Sequence, residues 1–204
     1  MSLRRAVGFS SVVIFSFSCF PSKSTYFFID RPEATHLSDS ASGGSPSVIY
    51  FEFHKVWLSA SIQPDYIQFG INVPEGQTAQ LLSKLVDVRQ IVGADTTQSH
   101  FELIPTPADR RYIICINYLV NYTHGFDNQE QFGVLTGGTI VQHHPLAKDI
   151  VCHKGYFFTV PYSVPKKAKG ILKLPDMMIN GEIYPGPALP FSEKKKMVLT
   201  YYGP

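Results

Sequence analysis

A chain of 204 residues, 44% hydrophobic and 17% charged, holds enough apolar material for one folded core and excludes wholesale disorder. Aromatics at 13%, with 15 Pro and 15 Gly, favour short strands joined by turns over long helices. A formal charge of +2 is far from that of a uniformly basic domain, so nucleic acid is not an expected partner.

Residues 1–24 read as a signal peptide. Arg4 and Arg5 form a basic start, residues 6–20 form an uncharged, apolar-leaning run, and Ser22 and Ser24 are small residues preceding a cut before Thr25. The alternatives are a mitochondrial presequence, since the stretch is Ser-rich with no acid before Asp30, or a retained anchor. The cluster Val12, Val13, Ile14, Phe15 and Phe17 favours secretion, because a presequence helix needs a polar face. Residues 25–204 then form a single domain, acidic up to residue 153 and basic beyond it.

Within that domain, residues 41–46 (ASGGSP) read as a flexible loop. Ile49, Phe51 and Phe53 alternate with Tyr50, Glu52 and His54 as on a strand, and after the Pro64-Asp65 turn residues 66–73 resume it. Residues 77–92 are ambiguous. Leu81, Leu85, Val88 and Val92 recur at helical spacing before Gly93, whereas Val86 and Val88 alternating with Asp87 and Arg89 fit a strand, and the helix is the slightly favoured reading. Residues 111–122 are the strongest strand, and residues 131–142, with Gly133, Gly137 and Gly138, read as a glycine-bearing hairpin. A further strand covers 150–160, Asn180-Gly181 marks a hairpin turn, and 197–202 closes the chain as a strand. The sum is mainly β, a two-sheet antiparallel sandwich with one helix near residues 77–92.

Chemistry-bearing constellations are sparse. His143 and His144 are adjacent, so on a strand they face opposite ways, and Asp149, Cys152 and His153 lack zinc-ligand spacing; no metal is expected. Cys115 lies in an apolar strand, where burial keeps a thiol protonated and inert. No nucleophile elbow or phosphate-binding loop is present, so the chain reads as no enzyme and needs no cofactor. Once Cys19 leaves with the leader, Cys115 and Cys152 remain as a disulfide pair closing about 37 residues. Asn121-Tyr122-Thr123 is a glycosylation sequon. The lysines of residues 166–169 and 194–196 either protect sheet edges or meet an acidic partner.

The stretch from Cys152-His153-Lys154-Gly155-Tyr156, through Gly181-Glu182-Ile183-Tyr184, to the terminal strand resembles the lipid-recognition β-sandwich proteins of the ganglioside-activator and sterol-transfer type, as does Ile62-Gln63-Pro64-Asp65. The chain departs from that family in having fewer cysteines. The resemblance implies a secreted or lysosomal sandwich holding a lipid between its sheets. The expected function is therefore a secreted, non-enzymatic binding protein for a hydrophobic or lipid ligand. Ile114, Ile116, Phe157 and Phe158 would be its walls, with Lys166 and Lys167 near the head group. The alternative is a structural or interaction protein, an accessory subunit whose partner docks on the Pro/Lys-rich C-terminal region.

Overall fold

A computed structural model describes residues 19–39, 45–106, 112–115, 118–121, 132–142, 150–165 and 167–201. The first strands in chain order are β1 (Cys19–Ile29), β2 (Thr35–Asp39), β3 (Ser45–Phe53), β4 (Val56–Ile62), β5 (Ile67–Val73) and β6 (Thr78–Leu81). There follow β7 (Leu85–Val92), β8 (Asp95–Glu102), β9 (Ile104–Pro105), β10 (Tyr112–Cys115), β11 (Tyr118–Asn121) and β12 (Leu135–Thr136). The last are β13 (Thr139–Gln142), β14 (Ile150–Val160), β15 (Lys169–Lys173), β16 (Met177–Ile179), β17 (Glu182–Tyr184) and β18 (Ala188–Tyr201).

These strands build three antiparallel sheets in place of the two expected. A five-stranded sheet runs β1-β18-β15-β7-β8, and a four-stranded sheet runs β12-β6-β16-β17. A nine-stranded sheet follows the path β11-β10-β14-β5-β4-β3-β2, with β9 and β13 also on β14. All three sheets feed one core. Phe27 and Ile29 of β1, Leu58, Phe69 and Phe158 of the nine-stranded sheet, Ala79 and Met177 of the four-stranded sheet, and Leu172 and Leu189 of the five-stranded sheet share it. Strand alternation supplies these side chains: in β5, Ile67, Phe69, Ile71 and Val73 all face this cluster, and all are 0–1% exposed.

Residues 77–92 hold no helix. They form β6 and β7, broken by an exposed turn at Leu82, Ser83 and Lys84. The helical spacing was coincidental: Leu85 (51%) and Val92 (40%) are exposed, whereas Val86, Val88 and Gln90 are buried. The period that burial obeys is two. Elsewhere turn chemistry behaves as read, with Asn180 and Gly181 at φ 52° and 86° joining β16 to β17. The turn between β3 and β4 also has two positive φ values, at His54 and Lys55 (48° and 70°).

Residues 19–24, the end of the segment read as a leader, are paired in β1 with Lys196 to Tyr201 of β18. Residues 1–18 lie outside the described residues. Past Ser192, β18 keeps only β1 as a partner among the described strands, so Lys194, Lys195 and Lys196 sit on a stretch with one open edge.

Candidate functional site

Two of the residues expected to wall a cavity, Phe157 and Phe158, do not share one side. Phe157 and Phe158 are consecutive on β14 and face opposite sides of the sheet. Phe158 is fully buried and fills the core, stacked on Phe69 at 5.0 Å with Phe132 at 5.4 Å. Phe157 lies on the other side, across glycines 70 and 155. A β-carbon on Gly70 would come within 2.7 Å of its ring, and one on Gly155 within 2.8 Å. Ile114 stands on β10 opposite Leu119, while Ile116 and Lys166 lie outside the described residues. Lys167 is exposed at φ 61°, its backbone N–H donating to the Glu193 carboxylate.

Cys115 is the register partner of Cys152 across β10 and β14, and Cys152 is buried. Asn121 ends β11, opposite Tyr112; the rest of its sequon lies outside the described residues. So do His143, His144 and Asp149. Among the described residues no three of His, Cys, Asp and Glu converge as metal ligands would.

The outer face of the five-stranded sheet carries a feature that the sequence reading passed over. Arg89 of β7 is the register partner of Ile171 of β15, and Ile91 that of Lys169. Cations and isoleucines thus form a checkerboard, with Ile91 39% and Ile171 37% exposed. Pro190 of β18 continues the row opposite Ile171. These residues, with Asp30 at the β1 end, line an open groove of about 360 Å³. The floor is held close by Gly170, where a β-carbon would meet the Arg89 carbonyl at 2.5 Å and the Phe191 ring at 2.6 Å. Beneath it, buried Gln90 accepts a hydrogen bond from the Tyr162 hydroxyl, a phenol whose ionisation burial pushes upward. Further along the same face His100 pairs with Asp87 at 2.6 Å. A period-two reading puts Arg89 and Ile91 on one side, and Lys169 and Ile171 on one side, but the isoleucines conceal which side faces outward.

A second surface lies on the side of the nine-stranded sheet turned away from the core. There β3, β4 and β5 present Tyr50, Trp57, Ser59, Ser61, Gln68 and Asn72, with Phe157 of β14. Tyr50 stacks on Trp57 at 4.7 Å and 14°. Asn72 is fully buried, its amide nitrogen 3.5 Å from the Trp57 carbonyl. The Asn72 Oδ1 and the buried Tyr50 hydroxyl have no hydrogen-bond partner among the described residues. Burial holds the Tyr50 phenol far above its usual pKa, hence neutral and available as a donor.

A third, smaller cleft of about 140 Å³ lies between the two hairpin turns, beside His54, Lys55, Asn180, Glu182 and Tyr184. The His54 ring stacks on Tyr184 at 3.7 Å, and the Tyr184 hydroxyl donates to Glu182, a bond that raises its pKa. No protein-family model, curated protein or solved structure matches the chain.

Proposed function

We propose that the protein is a non-enzymatic binding protein whose ligand is an amphipathic anion, an acyl chain ending in an acidic group, held along the groove over β7, β15 and β18. One observation carries this reading: Arg89 and Lys169 alternate with Ile91 and Ile171 on one exposed face. Methylenes laid along the isoleucines and Pro190 leave water, at about 0.8 kcal/mol each when fully buried. The Arg89 guanidinium supplies a charge-assisted bond to a carboxylate or phosphate. In this reading the five- and nine-stranded sheets act as the two leaves of a sandwich, and the lipid lies on the outside of one leaf. A filled interior favours that placement, since Phe69 and Phe158 stack where a lipid tail between the sheets would lie. The reading includes secretion after loss of the leader, a glycan on Asn121 and a Cys115–Cys152 bridge, the last supported by their register.

The test is extraction of the purified protein followed by mass spectrometry, with titration of a fluorescent fatty acid. A bound acyl anion is expected, with affinity falling about tenfold in Arg89→Ala and further in Ile171→Asp. No extracted acyl compound and no saturable titration would overturn the reading. The exposed outer edge of β8, paired on one side with β7, favours a second reading, an interaction subunit that adds a partner's strand. Light scattering of the native material separates the two: a monomer that carries lipid supports the first, and a hetero-complex supports the second.

A further inference from the structure

Orphaned polar atoms gather on the far side of the nine-stranded sheet. A buried acceptor or donor without a partner costs about 1–3 kcal/mol, and native proteins hold few of them. Here three fall on one face: the Asn72 Oδ1, on a residue 0% exposed, and the Tyr50 hydroxyl, on one 5% exposed, lie either side of Trp57, and the His153 Nδ1 lies on β14 on the same side as Phe157 by strand alternation. The face is polar by composition, with Ser59, Ser61 and Gln68 also buried. It is not closed over by the core, which occupies the opposite side of the same strands.

The sheet's own shape accounts for the burial. β2 and β11 stand at opposite ends of the strand order, yet their Cα atoms come within 8 Å of one another. A sheet whose ends approach has curled, and the core side is already filled by the other two sheets, with β1 of the five-stranded sheet against β3 and β4. The curl therefore wraps the polar side.

We infer that this wrapped face is a second ligand site, distinct from the groove, and that it takes a neutral saccharide. Three features set the class. Among the described residues of β3, β4, β5 and β14 on this face, the titratable acid and base side chains are Glu52, exposed at the rim, and His153, whose ring burial holds toward the neutral form, so the site selects an uncharged ligand. The Asn72 Oδ1 lacks a donor and the Tyr50 hydroxyl lacks a partner, and a ligand hydroxyl satisfies either, donating to the first and accepting from the second. Stacked Tyr50 and Trp57 give a flat aromatic surface against which the C–H face of a sugar ring packs, and Trp57 remains partly exposed.

Trp57 is the chain's single tryptophan, so its emission reports the site directly. The full chain is titrated with glucose, galactose, mannose and N-acetylglucosamine and with their β-linked or α-linked trisaccharides. A saturable change in emission is expected with at least one. Tyr50→Phe removes only the unpartnered hydroxyl. Its thermal midpoint stays level or rises, while the dissociation constant for that sugar rises about tenfold. Asn72→Leu removes the second contact and is read beside it, and Tyr50→Phe keeps the test decisive if Asn72→Leu fails to fold. Arg89→Ala leaves the sugar titration unchanged, which separates this site from the groove. No saturable response to any of these saccharides, or an unchanged affinity in Tyr50→Phe, overturns the inference.

Discussion

Glycines 70 and 155 are floor tiles under the Phe157 ring. They are neighbours in the β5–β14 ladder, diagonal to each other, and any β-carbon there enters the ring or the Asn72 amide. Gly155→Ala is therefore expected to lower stability by about 1–3 kcal/mol, the range for overpacking a filled site, measured by urea unfolding. His153, two residues earlier, makes a pH prediction. Burial lowers its pKa, and its Nδ1 is a buried atom without a partner among the described residues. Below the unfolded value of about 6.5 the unfolded chain takes up a proton that the folded chain resists. Stability from this group is thus intact above that value and is lost as the pH falls toward the lower, folded pKa. Thermal midpoints measured from pH 7.5 to 5.5 should decline, and His153→Gln should flatten the decline. An equally steep profile in that variant would assign the effect to other groups. At this scale the sequence was partly readable. The Gly155-Tyr156-Phe157-Phe158 run announced an aromatic strand, but only the fold could say that Phe157 and Phe158 part company and that Phe157 rests on Gly70, far away in sequence on β5.

Single strands were legible wherever aromatic and β-branched residues were dense and turn residues bounded the run, even where both faces are buried, as in β5. β3, β5, β14 and the Asn180-Gly181 hairpin lie where alternation and turn residues put them. The failure at residues 77–92 has a physical cause. Two short strands joined by a tight turn placed leucines at helical spacing, and only the burial of Val86, Val88 and Gln90 decides between the periods. Outward isoleucines hid the groove for a related reason: exposed Ile91 and Ile171 blur the alternation that identifies a core face. The turn itself is open to test. Gly181 sits at φ 86° with nothing within reach of a β-carbon, so Gly181→Ala meets backbone strain rather than a clash and should cost about 1 kcal/mol. β1 yields a second test at this scale. A chain beginning at Thr25 retains Phe27 and Ile29 in the core and should fold, but Lys196 to Tyr201 lose their register partners. Hydrogen exchange of the alternate amides in this stretch that donate to β1 should then be fast, while in the chain that retains residues 19–24 the same amides are protected.

At the scale of the whole molecule, the connections that matter join distant parts of the chain. β1 pairs with β18, β7 with β15, and β6 with β16, so the sheets close only after long loops have been ordered. Such pairings leave no local mark, which is why a mainly β chain was readable while its division into three sheets was not. The cysteines differ: the two left once Cys19 goes with a leader are also register partners. Cys115 and Cys152 face each other across β10 and β14, whereas Cys19 lies on β1 in another sheet, opposite Tyr201. A bridge between the first two closes about 37 residues, including β11, β12 and β13, and the loop-entropy argument assigns it about 3–4 kcal/mol. Peptide mapping without reduction should recover the Cys115–Cys152 cross-linked pair from native material and leave Cys19, where retained, open to alkylation. The Cys115→Ser, Cys152→Ser double variant should lose stability on that scale in urea, and reducing agent should have no further effect on it. If both thiols alkylate in the folded native protein, the bridge is absent, and the case for an oxidising compartment loses its strongest support, since the leader and the sequon are each read from sequence pattern alone.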